Sequence, residues 1–525
     1  MLDLLITGGL IIDGTGNPGF YGAIGVSGDR ITILRGDLSS VPAARVLDAT
    51  GKVVCPGFID VHAHSALMIL SDPLHEAKVH QGVTTELIGI DGNSYAPFRS
   101  KEDLQRFIQL NAGLEGCPPL PDLETWSSVS DYLSRYDQRV SVNIAYIVGN
   151  SPLRIGTVGW GNRPPSRQEL DNMKALLRES MEEGAVGIST GLDYPPGSYA
   201  DTDELVALSA EAARLGGIYH THVRYSLGDR FLDPFKEALQ IGRRSGVPVH
   251  VTHLFNWAES PRSGRWLLEL IEQARVEGQD VTFDCFPYAH GGTRLIYFLP
   301  QWAHDGGPER LLDVLRSPEM RKRLRSEVVA PFGNWDIVWL TYFKQHHNKQ
   351  YEGRSVAEVA EMMGKDPVDA LCDLLVDEDL QTSFHADLAD PLNLPDFVSH
   401  SLQMVGSDAL LLGDYPPAMA YGAFPVILAK YVREDRRISL PDAIRRMTSY
   451  PAQRLGLPDR GLLREGMKAD LVVFDYQAIQ APATRYHPKQ FSTGVDYVII
   501  NGQIVMDKGR HTGVLAGRAL RRGRT

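Results

Sequence analysis

Two histidines one residue apart open the chemistry of this chain. In Pro56-Gly57-Phe58-Ile59-Asp60-Val61-His62-Ala63-His64, an apolar strand pattern follows a Pro-Gly break and ends in His62 and His64. Residues two apart on a strand share a face, so both imidazoles project together. A pair of that kind can grip a zinc ion. Spacing alone is a weak signal in a chain with 16 histidines, and His220 and His222 repeat it. Two further strand patterns also end in histidine. One finishes at His222, with His220 on the same face one layer deeper. In the other, Pro248-Val249-His250-Val251-Thr252-His253, alternation groups His253 with Val249 and Val251 and turns His250 towards the helices. Val405-Gly406-Ser407-Asp408 adds a carboxylate at the end of a later strand. Any one of these histidines reads first as a hydrogen-bonded core residue. Four of them at strand ends point to a metal site. Zinc lowers the pKa of bound water to around 7, and a neighbouring carboxylate can accept the proton and later deliver it to a leaving nitrogen. Asp408 is the expected general base.

Such a set needs strands that present their ends on one rim. Strand candidates end near His64, Ile90, Val148, Thr190, His222, His253, Asp284 and Asp408, with helical patterns between several of them. One helix opens with Ser166 and Glu169 at capping-box spacing and puts Leu170, Met173, Leu177 and Met181 on one face. A second starts at Asp201 and stops at Gly216-Gly217. Alternating strands and helices predict an α/β fold, a (β/α)₈ TIM-type barrel over residues 56–424, whose active site lies at the strands' C-terminal ends. The stretch between Asp284 and Asp408 is too long for one connection and predicts an inserted helical subdomain over 286–400. Residues 1–55 and 425–525 share short alternating strands and Gly-turns, and are expected to form one composite β-sandwich.

Composition narrows the classes. A chain of 525 residues exceeds one ordinary core. Its net charge of −12 disfavours nucleic acid, and the Arg-rich end (Arg518, Arg521, Arg522, Arg524) is expected to be a solvated tail. No stretch is apolar enough to span a membrane, and the N-terminus has no basic region of the kind that opens a secretory signal. Four cysteines without a CxxC spacing suit a reducing compartment. The expectation is a cytoplasmic protein acting on a small molecule; a homo-oligomer is compatible with it.

Longer motifs add a resemblance. Gly82-Val83-Thr84-Thr85, Gly191-Leu192-Asp193-Tyr194-Pro195-Pro196-Gly197-Ser198-Tyr199-Ala200 and Thr221-His222-Val223-Arg224 are followed by Pro287-Tyr288, Val405-Gly406-Ser407-Asp408, Tyr421-Gly422-Ala423-Phe424-Pro425 and Ala516-Gly517-Arg518-Ala519-Leu520. With the strand-end histidines, the chain resembles, nearly end to end, the D-aminoacylase group of the amidohydrolase superfamily, the N-acyl-D-amino-acid deacylases. That resemblance implies zinc, one ion or two, with His62, His64 and Asp408 at one position and His222 and His253 at the other. It also implies that Tyr194 and Tyr288 approach the substrate or oxyanion, and it places Arg224 and Phe255 in the substrate pocket.

The chain departs from the family in two places. Where the family often carries a bridging cysteine, this chain has Asp91. A carboxylate is a competent but harder ligand, which admits Mn²⁺ or Co²⁺ beside Zn²⁺. The fourth strand, Ala185-Val186-Gly187-Ile188-Ser189-Thr190, has no lysine to be carbamylated as in other amidohydrolases. On the substrate side, two positions that are cationic in the family are Phe255 and Ala418. A buried carboxylate without a cation costs several kcal/mol, so a substrate neutral or apolar near the leaving amine is expected unless Arg224, Arg294 or Lys430 supplies the charge. The leading expectation is hydrolysis of an N-acyl bond. The alternatives are a neutral amide, carbamate or cyclic amide as substrate, or an inactive binding relative, which the retained donors disfavour.

Overall fold

Eight parallel strands, Phe58–Asp60, Val83–Ile88, Asn143–Tyr146, Gly187–Gly191, Ile218–His222, Val249–Val251, Val281–Cys285 and Gln403–Val405, follow one another around a barrel. The structure is a computed structural model that describes residues 1–36, 40–119, 126–256 and 264–523. The third strand breaks at Ile147, whose N–H donates to the Ile88 carbonyl, and resumes at Val148–Gly149 to pair with the fourth. Closure comes between the last strand and the first: the Asp408 N–H donates to the His62 carbonyl at 2.9 Å, and Ala409–Leu410 pairs with Ala63–His64.

Local signals explain the helices around this ring. Arg167–Glu182 begins with both arms of a Ser166/Glu169 capping box and buries Met173, Leu177 and Met181. Thr202–Arg214 is capped by the Asp201 side chain, which accepts from the Glu204 N–H. Each cap contributes about 1 kcal/mol. Inside the barrel, Ile59, Ala145, Val186, Ile218 and Met404 pack with Ala452, Leu455 and Leu520, which plug the end remote from the strands' C-termini.

A wholly buried ion network ties the closing strands to their neighbours. Asp60 accepts from the backbone N–H groups of His62 and Ser407 at 3.1 and 3.0 Å. Lys78 Nζ stands 2.5 Å from Asp60, 3.0 Å from Glu86 and 2.7 Å from Ser407 Oγ.

Both chain ends meet in one β-sandwich. A four-stranded sheet of Arg30–Leu34, Ala23–Ser27, Leu2–Thr7 and Ala43–Asp48 faces a seven-stranded sheet in which Val53–Pro56 pairs antiparallel with Leu471–Phe474. Leu4, Ile24, Leu47, Val54, Leu471 and Ile499 form its core.

Three features differ from the sequence reading. Residues grouped with the sandwich from 425 onwards are helical at Ile427–Glu434, Leu440–Met447 and Ser449–Leu455. They bury Ile444, Met447 and Leu455 against the barrel, and sandwich strands resume only at Leu471. The insertion is not purely helical. Beside helices at Pro308–Arg316, Pro318–Glu327, Val356–Met363 and Pro367–Asp377 it carries an antiparallel sheet of His290–Arg294, Ser383–Asp387 and Val338–Tyr342, strands too short and, at Gly291-Gly292, too glycine-rich to read as such. The basic tail is docked. Ala519–Leu520 pairs with the third barrel strand, Arg518 and Arg521 pair with Asp29 and Asp137 at 3.2 and 2.8 Å, and Arg522 donates to the Gly216 carbonyl. Arg524 lies outside the described residues. No described helix is long and apolar enough to cross a membrane.

Replacing Lys78 by Met leaves Asp60 and Glu86 buried without their cation. The expected loss is about 3–5 kcal/mol of stability, measured as a shift in the urea unfolding midpoint; an unchanged midpoint would remove the network from barrel closure.

Candidate metal centre

One carboxylate oxygen lies at the middle of the strand-end residues. Asp91 Oδ2 is 3.4 Å from His62 Nε2, 3.8 Å from His64 Nε2, 3.8 Å from His222 Nδ1 and 3.5 Å from His253 Nε2. Asp408 Oδ1 lies 3.4 Å from His62 Nε2 and 3.2 Å from His64 Nε2. Donors about 2.1 Å from one zinc ion in tetrahedral array stand roughly 3.4 Å apart, so this spacing fits a divalent ion. His62 Nε2 and His253 Nδ1 are buried without any hydrogen-bond partner. For His62 Nε2, a coordinated cation would relieve that cost. His222 Nδ1 and His253 Nε2 are 2.9 Å apart, so the donors form two overlapping groups that share Asp91.

The backbone is bent to bring them together. Asp91, His253 and Asp408 have φ of +51°, +32° and +50°, each costing of order 1–3 kcal/mol outside glycine. Gly406 allows the close approach of the first and seventh strands: a Cβ there would meet His62 Cβ at 2.6 Å and Asp284 Oδ1 at 2.7 Å.

Behind the donors stands a second layer of carboxylates. His62 Nδ1 is 3.4 Å from Asp284, His64 Nδ1 is 3.3 Å from Glu115 and His222 Nε2 is 3.0 Å from Asp193. Such partners fix the ring orientation and raise the basicity of the nitrogen facing a metal. Asp284 also accepts from the His253 N–H at 2.7 Å and contacts His250 Nε2 at 3.0 Å. The sequence reading assigned no role to these three carboxylates. Asp284 ends a strand and Asp193 sits in a quoted motif, so both were within reach. Glu115 closes the helix Lys101–Glu115, where no local pattern marks it.

The facing of His250 is the reverse of the alternation argument. Val249 and Val251 pack outward with Leu267 and Ile271, whereas His250 stacks on His220 with ring centroids 4.8 Å apart. His253 reaches the centre because the strand ends at Val251 and the chain turns. His220 lies one layer deeper, within 3.1 Å of the Val61 carbonyl.

Electrostatics follow from this packing. Burial pushes the His62 and His64 imidazolium ions down, but Asp91 and Asp284 hold His62 well above its usual value. Asp408 and Glu115 likewise raise His64 to about 9. Burial works in the opposite sense on Asp91 and Asp408, yet the histidines keep both below the usual carboxylate range.

A narrow cavity of about 60 Å³ opens on the centre, lined by His222, His253 and Asp408 and by Tyr194, Tyr225, Phe255, Phe286, Tyr297 and Phe384. Tyr194 and Phe255 are therefore at the site. Two other expected substrate residues are elsewhere. Arg224 spends its donors on the carbonyls of Ser198 and Ala200 and on Glu237. Tyr288 buries its hydroxyl beside Gly422, 2.7 Å from where a Cβ would stand. Lys430 is exposed. Arg294 is wholly buried beneath Tyr194, 4.6 Å from its ring centroid, donates to Asn93 Oδ1 at 3.5 Å, and forms no ion pair among the described residues.

The profile of the amidohydrolase family matches residues 45–301 and 333–506. The chain belongs to the amidohydrolase family. This amidohydrolase is 33% identical to an N-acyl-D-glutamate deacylase of Alcaligenes xylosoxydans xylosoxydans, over 99% of this chain and 97% of the relative. It is also 33% identical to a D-aminoacylase of the same organism, over 99% and 98%. Among solved structures it is similar to an N-acyl-D-glutamate deacylase from Bordetella bronchiseptica complexed with zinc and a phosphonate mimic of the tetrahedral intermediate. That match has a TM-score of 0.83 and 33% identity, and covers 99% of each chain. A D-hydantoinase at 14% identity and TM-score 0.56 shares the fold.

Protons and a divalent cation compete for the same ring nitrogens. Because His62 and His64 are held above their usual pKa without metal, uptake at neutral pH at that pair releases protons, and affinity strengthens as pH rises towards about 9. Calorimetry in buffers of different ionisation enthalpy measures this; uptake without proton release would contradict the charge assignment.

Proposed function

We propose that this amidohydrolase cleaves the amide C–N bond of an N-acyl small molecule at a divalent-metal centre. The observation that carries the reading is the convergence of four imidazoles on Asp91, with Asp408 beside two of them. His62, His64 and Asp408 would hold one ion, His222 and His253 a second, and Asp91 would lie between them. Zn²⁺ is the first candidate, as in the similar Bordetella enzyme, with Mn²⁺ or Co²⁺ admitted by the oxygen donor at Asp91. A bound ion supplies Lewis acidity that activates water and polarises a carbonyl. Asp408 lines the cavity and is ionised at neutral pH. It accepts the proton of the attacking water and passes it to the leaving nitrogen. The aromatic walls exclude bulk water and orient the amide.

The substrate is neutral or apolar beside the scissile bond. Among the described residues, no lysine or arginine lines the cavity, and Arg224 and Lys430 are committed or distant. A second reading, deacylation of a free N-acyl-D-amino acid like those named for the relatives, has one observation in its favour: Arg294 lies beneath Tyr194 and forms no ion pair among the described residues.

Metal-loaded enzyme offered N-acetyl-D-leucine and its C-terminal amide distinguishes them by acetate release. The neutral amide is the expected better substrate, and Asp408→Asn is expected to lose about 10²–10⁴-fold in kcat while metal remains bound at His222 and His253. Preference for the free acid assigns the carboxylate to Arg294. Hydrolysis of no N-acyl compound would overturn the reading.

A further inference from the structure

Two tyrosines stand between the catalytic cavity and a second hollow. Tyr225 and Tyr297 line both the cavity and an adjoining groove of about 720 Å³ that opens to solvent. Asp193, which contacts His222 Nε2 at 3.0 Å, also lines the groove, so it begins one residue from a metal-centre histidine. Aromatic and aliphatic side chains make up rather more than half of its walls. Phe231 comes from the segment after the fifth barrel strand, Phe298 and Leu299 from the insertion, and Val329 and Pro331 from the segment after helix Pro318–Glu327. Val329 is 76% exposed although it lines this groove. Charged groups also line it: Asp193 contacts His222, Asp229 accepts from the Phe231 N–H at 2.9 Å, Glu327 accepts from Trp302 Nε1 at 2.6 Å and Arg323 Nε at 2.7 Å, and Arg230 lies among them.

We propose that this groove receives a long, unbranched apolar acyl chain, so that the substrates include amides of medium- and long-chain carboxylic acids. The proposal rests on the amide-hydrolase reading above. The acyl side follows from the position of the proton donor. The leaving nitrogen must stand by Asp408, at the end of the eighth strand. The groove starts at Asp193, which contacts His222 at the end of the fifth, across the barrel mouth. The carbonyl substituent therefore points towards Tyr225 and Tyr297. A flexible chain can pass between two tyrosine rings where a branched or globular group cannot. Once past them it covers Leu299 and Val329 and removes apolar surface from water, a gain proportional to chain length.

Alkanoates, the acid products of such a reaction, test the groove without turnover. Titrating butanoate, octanoate and dodecanoate into the metal-loaded enzyme by calorimetry is expected to show Kd falling by about fourfold for each methylene that is buried. Val329→Glu, a change at an exposed position, is expected to erode the gain for dodecanoate far more than the binding of butanoate. Equal Kd values along the series, or a length dependence that Val329→Glu does not reduce, would overturn the proposal. Val329-dependent binding of dodecanoate by a protein that hydrolyses no amide supports the groove and sinks the hydrolase reading. Hydrolysis of acetyl and dodecanoyl amides at equal kcat/KM does the reverse.

Discussion

Five ionisable side chains with Asp91 at their centre share one water-poor space, and most of the fold serves to make that arrangement affordable. A buried carboxylate or imidazolium without a partner costs several kcal/mol. Here every anion faces a cation or a ring that can carry charge. Asp91 faces His62 and His253, Asp408 faces His62 and His64, and Glu115 faces His64 from behind. The contributors come from the ends of the first, second, fifth, sixth and eighth strands, so the barrel must close in the correct register before any of them is compensated. The left-handed backbone at Asp91, His253 and Asp408 is part of the same requirement. It aims three donors at a common point, and the strands leading into it are held by their ladders.

Closure in turn depends on a separate buried charge system. Asp60 holds the backbone of His62 and Ser407, and Lys78 neutralises Asp60 together with Glu86. Both systems touch the first and eighth strands, one at the rim and one just beneath it. The register that places His62 and His64 opposite Asp408 is therefore set by hydrogen bonds to Asp60 as well as by the ladder itself. Asp284 plays a related part on the other side, holding the His62 ring and the His253 backbone at once.

Much of this was legible in the sequence because strand periodicity and motif context act locally. His62, His64, His222 and Asp408 lie at strand ends that the apolar pattern reveals, and the motif resemblance drew attention to Asp91. His253 was chosen for a reason that the structure reverses. The strand ends two residues earlier than alternation assumed, and His250, not His253, follows its inward face. Arg224 and Tyr288 carried the right chemistry, but their directions depend on Ser198, Ala200 and Gly422, residues distant in sequence that no local rule connects. Glu115 was invisible for the same reason: a helix-terminal glutamate becomes significant only when the helix packs against His64. The helices between 427 and 455 were absorbed into the sandwich because nearby strands carried the stronger signal, although Ile444 and Met447 pack on the barrel.

Chemistry and selectivity are drawn from different parts of the chain. The donors belong to strand ends, whereas Gly291, Gly292, Thr293 and Phe384 of the insertion form one wall of the cavity. The insertion leaves the barrel after the seventh strand and returns before the eighth, so it is anchored between Asp284 and Asp408. Close packing of Gly406 against Asp284 and His62 pins both anchors. Substitutions in the insertion can then reshape the wall and the adjoining groove without displacing a donor. That separation explains how tightly held strand-end residues can face a cavity that is aromatic and, among the described residues, free of cations. Residues under the strict demand of charge compensation have little freedom, while a wall needs only to be apolar and well packed.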